Sequence, residues 1–508
     1  TVKEFIPIED PKLTTEKEVK PKLTTAELTT IESPGKPVPA LQLMEKERRK
    51  KERRKERKEP SNIEAPKREY TLILTEKPQA AEKIAYALGN PKKYIEGRVS
   101  YYELSKGDKK ILVASAVGHL FKLTYVKGQR GYPVFKLEWV PSYESKGTEY
   151  TKAYYDLLKK LGRKSNEFIT ATDYDIEGEL IGWNIMRFIL GHNNAKRMKY
   201  STLTKPELLK SYENALPELD WGQAYAGETR HILDWLYGIN LSRALMSAIK
   251  RVGSFKILSI GRVQGPALKI IVNREQEIDN FKPLPYWEAI AIVNVKKEGG
   301  TSGEPLVPQE YKHPKDIFNK EELEKFKNIK ACDAQTKKTE EHILPPHPFD
   351  LTSLQREAYR HHGISPSQTL AAAQKLYLEG LISYPRTSSQ KIPGSIEPKK
   401  ILKTLEKYYP KEIKLATRAK PIEGKNSDPA HPSIFPTGEF RKLEGNEQKI
   451  YNLITRRFIS VFSPDAITAN KKVKLTALED PEITFTASGL KVLDKGWTQV
   501  YPIILEEK

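Results

Sequence analysis

Four carboxylates stand at every second position of 168-FITATDYDIEGELIG-182: Asp173, Asp175, Glu177 and Glu179. Carboxylates this close repel one another and call for a counter-cation, and hard oxygen ligands suit Mg²⁺ held partly through water and partly by phosphate. A solvated turn is the plainest alternative. A calcium loop is another, because Asp173, Asp175, Glu177 and Gly178 fall on positions one, three, five and six of D-x-D-x-[DN]-G. It fails at position twelve, which is Asn184 where a bidentate Glu is needed, and at residues 168–172, which favour a strand where such a loop needs a helix.

The elements that must position these acids can be read from the surrounding pattern. Leu72 to Leu74 form an apolar run, Pro78 suits a first helical position, and Gly89 follows the last apolar turn, which predicts strand, turn and helix. A second strand-like segment, 111–120, ends in Gly-His. A third, 168–172, leads into the acids and then a helical stretch with Ile181, Ile185 and Ile189. Strands alternating with helices imply an α/β layer with a partly parallel sheet, and such sheets place ligands at the C-terminal ends of their strands. Beyond residue 205 the pattern turns mostly helical, as in 226–249, and strand patterns return near 286–295 and 472–487. Residues 349–387 predict helix, turn, helix and a short strand. Ser365 and Gln368 make a capping box, Pro366 takes the first helical position, and Gly380 stops the helix. Helix-turn-helix units serve nucleic acid and plain packing alike.

A chain of 508 residues holds several domains. Its formal net charge of +20 points to a polyanionic partner, nucleic acid before an anionic membrane surface. Residues 45–58 carry ten basic and four acidic side chains, so +14 of the +20 lies elsewhere. The single Cys332 excludes an intramolecular disulfide framework and a four-Cys zinc ribbon. No run of about 18 apolar residues is present and the N-terminus has no signal-peptide core, so an intracellular protein is expected. The first residue is Thr, the expectation being a processed or partial sequence. Residues 1–67, rich in Thr, Pro, Lys and Glu with PKLTT twice, read as a disordered charged leader. No G-x-x-x-x-G-K-[ST] occurs, so phosphate chemistry here is expected to run without ATP.

T-E-K-P at 75–78 together with DYDIEGE at 173–179 resembles a Toprim domain, with one Glu after the first strand and a later D-x-D-x-E. SIGRVQGPALKIIVNREQEI (259–278), PFDLTSLQREA (348–358), GLISYPRTSS (380–389) and AHPSIFPTG (430–438) follow in the order found in type IA DNA topoisomerases, which the chain resembles from about residue 70 onward. Lys77 after Glu76 and Pro385 after Tyr384 look like the archaeal, topoisomerase III-like branch.

The resemblance implies a multidomain α/β plus α fold forming a toroid: a Toprim domain (68–204), a helical domain (205–284), a β-rich arch (285–345 and 466–508) and a helical lid (346–465). It implies ATP-independent cleavage of single-stranded DNA through a 5′-phosphotyrosine, strand passage and religation, relaxing negative supercoils or decatenating, in the cytoplasm on nucleoid DNA. Tyr384 is the matching nucleophile, Arg386 would neutralise the phosphate, and Glu76 would move a proton at the 3′-oxygen beside Lys77. His431 matches a histidine near the scissile phosphate. Glu76, Asp173, Asp175 and Glu177 would hold Mg²⁺. Ser259, Arg262, Gln264 and Arg197 fit DNA-binding positions, as do Arg230 and Asp234, whose i,i+4 spacing equally suits a surface ion pair. Many members carry Arg where this chain has Ile176 and an acid where it has Ser388. A T-K-P-P-x-R-Y and a G-I-G-x-P-[AS]-T motif are absent, so the helical domain is expected to be completed by a segment supplied from a second polypeptide or lost by truncation. A Toprim primase or nuclease would keep Glu76 and the acids but not need Tyr384 with Arg386, and a non-catalytic DNA-binding module would retain affinity yet yield no covalent adduct.

Overall fold

The computed structural model describes residues 69–129, 131–295 and 306–501; the expected leader, with its charged run, lies outside them. A six-stranded sheet is built from β1 (Tyr70–Thr75), β2 (Lys92–Glu96), β3 (Val99–Lys106), β4 (Lys109–Ser115), β7 (Ser165–Thr170) and β8 (Lys196–Arg197), in the order β2-β3-β4-β1-β7-β8. Strands β4, β1, β7 and β8 run parallel, while β2 and β3 are antiparallel. Residues 71–75 of the central β1 are all buried, as an unbroken apolar run in a parallel strand requires. Helices α1 (Pro78–Leu88), α2 (Thr151–Gly162) and α3 (Ile176–Ile185) complete this layer, and β5 (Phe121–Tyr125) pairs with β6 (Leu137–Pro141) in a separate ribbon. Pro78 does start α1 and Gly89 ends it.

Helices α4 (Lys205–Glu213), α5 (Trp221–Arg251) and α6 (Gln264–Asp279) follow. The 31-residue α5 buries only Ala224 and Gly227 fully, and α6 buries nothing. A five-stranded antiparallel sheet then gathers β9 (Ile290–Val295), β10 (Val307–Lys312), β11 (Cys332–Ile343), β12 (Ala466–Ala477) and β13 (Thr484–Asp494), in the order β11-β12-β13-β10-β9. Among the described residues no helix is long and apolar enough to cross a membrane.

Between β11 and β12 lies a helical block with α7 (Leu351–His362), α8 (Pro366–Leu378) and α9 (Gly445–Ser460). The Ser365–Gln368 capping box and Pro366 begin α8, and Gly380, at φ 77°, turns the chain out of it. The short strand expected next is only a one-residue bridge, Ile382 to Pro436. Pro385 and Pro436 remove the donors that a longer ladder needs, and Tyr384 N–H donates instead to Ser201 O at 2.8 Å. One apolar cluster runs unbroken from Ile73, Ile84 and Leu203 of the sheet layer into Leu354, Leu376, Tyr377, Leu381 and Tyr384 of the helical block.

Candidate active site

The C-terminal edge of the parallel strands carries the acids. Glu76 follows β1 directly, and Asp173 stands three residues beyond the neighbouring β7. Strand β4 stops at Ser115, short of the expected 120, because Val117 and Gly118 take positive φ (60° and 88°). Gly118 N–H then donates to Glu76 O at 3.2 Å, which brings His119 to the same edge. Asp175 caps α3: its Oδ1 accepts from Glu177 N–H at 3.1 Å and Gly178 N–H at 2.8 Å. Part of the acidic cluster is thus ordinary helix-start chemistry, carboxylates facing the positive end of a helix.

The other oxygen of Asp175 receives Tyr384. The phenol donates to Asp175 Oδ2 at 2.5 Å across 209 residues of sequence. Tyr384 is 2 % exposed, and burial, followed by the charges of Asp173 and Asp175, holds its pKa far above the ordinary tyrosine value, while Arg386 pulls the other way. Its ring lies 4.6 Å from His431 and 5.2 Å from Tyr377, centroid to centroid. Lys77 Nζ bridges Asp173 Oδ2 at 2.6 Å and Glu76 Oε1 at 3.2 Å. Burial, with Asp173's charge behind it, raises the Glu76 pKa. Lys77's own pKa is lowered by burial and raised more by Asp173 and Glu76, a net rise. Exposed Arg386 lines the same cleft of roughly 960 Å³ as Glu76, Lys77, Asp173, Asp175 and Tyr384.

His431 is buried with both nitrogens engaged: Nε2 lies 3.0 Å from Tyr174 O and Nδ1 2.9 Å from Ser201 Oγ. A carbonyl only accepts, so Nε2 carries the proton and Nδ1 accepts from the serine. Burial pushes the His431 pKa down to about 4. The ring is neutral at neutral pH, and reaching a phosphate requires it to give up one of these bonds.

Two expectations are corrected. Arg197 is not a DNA-facing residue: it is 0 % exposed and forms an ion pair with Glu179, also 0 % exposed at its side chain, at 2.7 Å. Its guanidinium donates to the carbonyls of Thr172 at 2.7 Å and Asp173 at 2.9 Å, so it fixes the strand end that carries the acids. A planar five-donor group fills that role as no solvated contact could. Glu177 does not join the other carboxylates. Its Oε2 lies 3.0 Å from His119 Nε2 and 2.8 Å from His231 Nε2, and its Oε1 lies 3.3 Å from Arg230. Two imidazoles and a guanidinium are better partners for a carboxylate than like-charged neighbours, and its pKa is held far below the usual range by the His119 and His231 bonds.

Arg230 and Asp234 approach at 3.7 Å, and Arg262 reaches Asp234 at 2.7 Å, so α5 and the loop before α6 are tied together beside the cleft. Ser259 and Gln264 are exposed on that same stretch. Ser388 donates to Asp428 at 3.0 Å, which places a carboxylate beside the position where the resemblance leads one to expect an acid in the sequence.

A Toprim domain profile matches residues 71–203, and a DNA topoisomerase profile matches residues 218–508. The chain belongs to the type IA DNA topoisomerase family. It is 44% identical over 441 residues to DNA topoisomerase 1 of Methanocaldococcus jannaschii, covering 85% of this chain and 56% of that protein. It is 44% identical over 451 residues to DNA topoisomerase 1 of Pyrococcus horikoshii, covering 85% and 64%. The chain therefore spans less than two thirds of each of these relatives. The fold resembles full-length topoisomerase I from Thermotoga maritima, with TM-score 0.60 at 24% identity, covering 85% of this chain and 68% of that one.

Within a topoisomerase of this family, the Toprim domain is a metal-binding domain, and the donor set here fits a hard cation. Glu76, Asp173 and Asp175 bring carboxylates to one cleft, where burial first and the Asp173 charge second raise the Glu76 pKa. In the present arrangement Lys77 supplies the countercharge.

Sequence reasoning missed four contributors. Tyr377 donates to Asp173 Oδ1 at 3.3 Å, but on the apolar face of α8 it reads as core. Ser201 holds both His431 and the backbone of Tyr384. His119 followed a Gly at a strand end, the one local hint available, and His231 sits unmarked within a helical run.

Two predictions follow from the packing here. A Cβ on Gly178 would lie 2.1 Å from Asp173 O. Gly178→Ala is expected to destabilise the fold by about 1–3 kcal/mol through the forced backbone shift, and to displace Asp173; urea midpoints measure the first. For His431, the unfolded chain binds a proton between about pH 6.5 and about 4 that the folded chain does not, so stability drops as pH falls through that window. His431→Gln should flatten the dependence of the urea midpoint on pH there, an effect of roughly 3 kcal/mol at most.

Proposed function

We propose that the chain performs the cleavage and religation chemistry of a type IA topoisomerase on single-stranded or negatively supercoiled DNA. The observation that carries this reading is the 2.5 Å contact between the Tyr384 phenol and Asp175 of the D-x-D-x-E segment. Tyr384 attacks a backbone phosphorus, its oxygen–phosphorus bond forms as the bond to the 3′-oxygen breaks, and one phosphoester replaces another without external energy. The raised Tyr384 pKa means that the nucleophile starts protonated, and Asp175 Oδ2 is placed to receive its proton. Glu76, protonated more readily than an ordinary carboxyl, suits donation to the departing 3′-oxygen, a role worth typically ~10²–10⁴ in rate. Lys77 and Arg386 offset the charge on the phosphate. Mg²⁺ bound through Glu76, Asp173 and Asp175 would supply positive charge that positions the DNA ends for religation.

Arg230, Asp234, Arg262, Ser259 and Gln264 lie on the elements beside the cleft, and we assign them to strand binding. Helix α6 exposes Leu268, Ile270, Ile271 and Ile278, by 55–72 %, which supports a further polypeptide segment packing on it. Relaxation of negative supercoils or decatenation is the activity proposed for the whole protein, in the cytoplasm.

Incubating the chain with single-stranded oligonucleotide labelled at its 3′ end, with Mg²⁺ and without ATP, and then denaturing it, tests the chemistry. Label migrating with the protein is expected. Free label alone, with intact or cut DNA, would leave a nuclease or a binding module as the reading.

A further inference from the structure

We propose that His119, Glu177 and His231 form a second metal site, distinct from the carboxylate cluster, that takes a first-row transition ion such as Zn²⁺. The three residues come from separate elements: the loop after β4, the first turn of α3, and the middle of α5. Each offers one ligand atom, and the three atoms lie within 4.8 Å of one another, the only such His/Cys/Asp/Glu group found among the described residues. Both imidazoles present Nε2 to the same oxygen, Glu177 Oε2, at 3.0 and 2.8 Å, with ring centroids 4.9 Å apart. This is the geometry in which one ion can replace two N–H protons. Donors around a tetrahedral Zn²⁺ at 2.0–2.1 Å sit about 3.3 Å apart, so small side-chain adjustments suffice.

The donor chemistry selects the ion. Two imidazole nitrogens and one carboxylate suit Zn²⁺ and its first-row neighbours, whereas Mg²⁺ prefers oxygen and water. All three side chains are 26–29 % exposed and line the cleft, which leaves a coordination position for water or a phosphate oxygen. Arg230 occupies the other carboxylate oxygen at 3.3 Å and leaves Oε2 to the imidazoles. Ser142 Oγ donates to His119 O at 3.0 Å and steadies the loop, and Trp139 packs 5.9 Å from the His231 ring. Among the described residues no hydrogen-bond partner faces His119 Nδ1, so affinity falls below that of sites in which each imidazole is braced. An ion here holds Glu177 away from Asp173 and Asp175, a consequence that rests on the proposed function, whereas binding itself does not.

Cobalt(II) titration of the purified chain in millimolar Mg²⁺ tests the site. One Co²⁺ per chain is expected, with the intense visible bands of a four- or five-coordinate ion, displaced by Zn²⁺ and not by further Mg²⁺. His119→Gln and His231→Gln should each weaken binding by at least roughly 10–100-fold, since losing a direct ligand exceeds losing an outer-shell partner. Asp173→Asn should bind Co²⁺ as the parent chain does. Absence of binding, binding indifferent to both histidine changes, or binding lost with Asp173 would overturn the proposal. If the histidine variants do not fold, Zn K-edge absorption on the unaltered chain decides: two imidazoles in the coordination shell support the site, and an all-oxygen shell refutes it.

Discussion

Tyr384→Phe is expected to abolish the covalent DNA adduct, a loss on the order of 10⁴-fold or more, while the protein folds normally. The phenylalanine keeps the ring contacts with Tyr377 and His431 and gives up a single hydrogen bond to a partly exposed carboxylate. Removing it changes stability by about 1.5–3 kcal/mol. Chemistry and folding therefore separate cleanly in this variant. Adduct yield on denaturing gels reads the first, and a urea melt reads the second. Undiminished cleavage by a folded Phe variant would favour a Toprim nuclease or primase, which has no use for a tyrosine nucleophile.

Arg197→Leu should lower stability by about 3–5 kcal/mol, because Glu179 is left as an uncompensated charge in a site with no exposure. The carbonyls of Thr172 and Asp173 lose their donor in the same change. The loss appears as a lower urea midpoint. Arg197→Lys should restore part of it, since an ammonium carries the charge without the planar fork. A phosphate-contacting arginine would behave differently: its removal would leave the fold intact and reduce the salt dependence of DNA affinity by about one ion. Normal stability with a shallower salt slope would restore Arg197 to the DNA-binding surface.

Why Arg197 misled is instructive. The resemblance assigned it to the DNA-binding positions, and nothing local in the sequence says that Glu179 is buried opposite it. Features governed by neighbours in the chain were legible: Pro78 opening α1, the Ser365–Gln368 box opening α8, and the buried run of β1. Glu76, Asp173, Asp175 and Tyr384 were legible for another reason, since their motifs state a chemistry before any geometry is known. Partnerships across long sequence separations were not. Glu177 reads as a third member of D-x-D-x-E, yet its contacts are His119 and His231, 58 and 54 residues away. The short strand after α8 failed on a local rule that competed with the apolar pattern, two prolines without donors.

Under the proposed reaction, the apolar cluster shared by the sheet layer and the helical block would act as a door with a closer. Letting a strand through under the proposed reaction means parting the two, which wets side chains such as Tyr377, Leu381 and Ile382, each worth about 1.5–3 kcal/mol when fully exposed. The work done on opening would be recovered on shutting, and in the proposed reaction that would carry the severed ends back toward each other without a nucleotide to drive them. Apolar association weakens on cooling, so the door should swing most freely in the cold and hold hardest when warm.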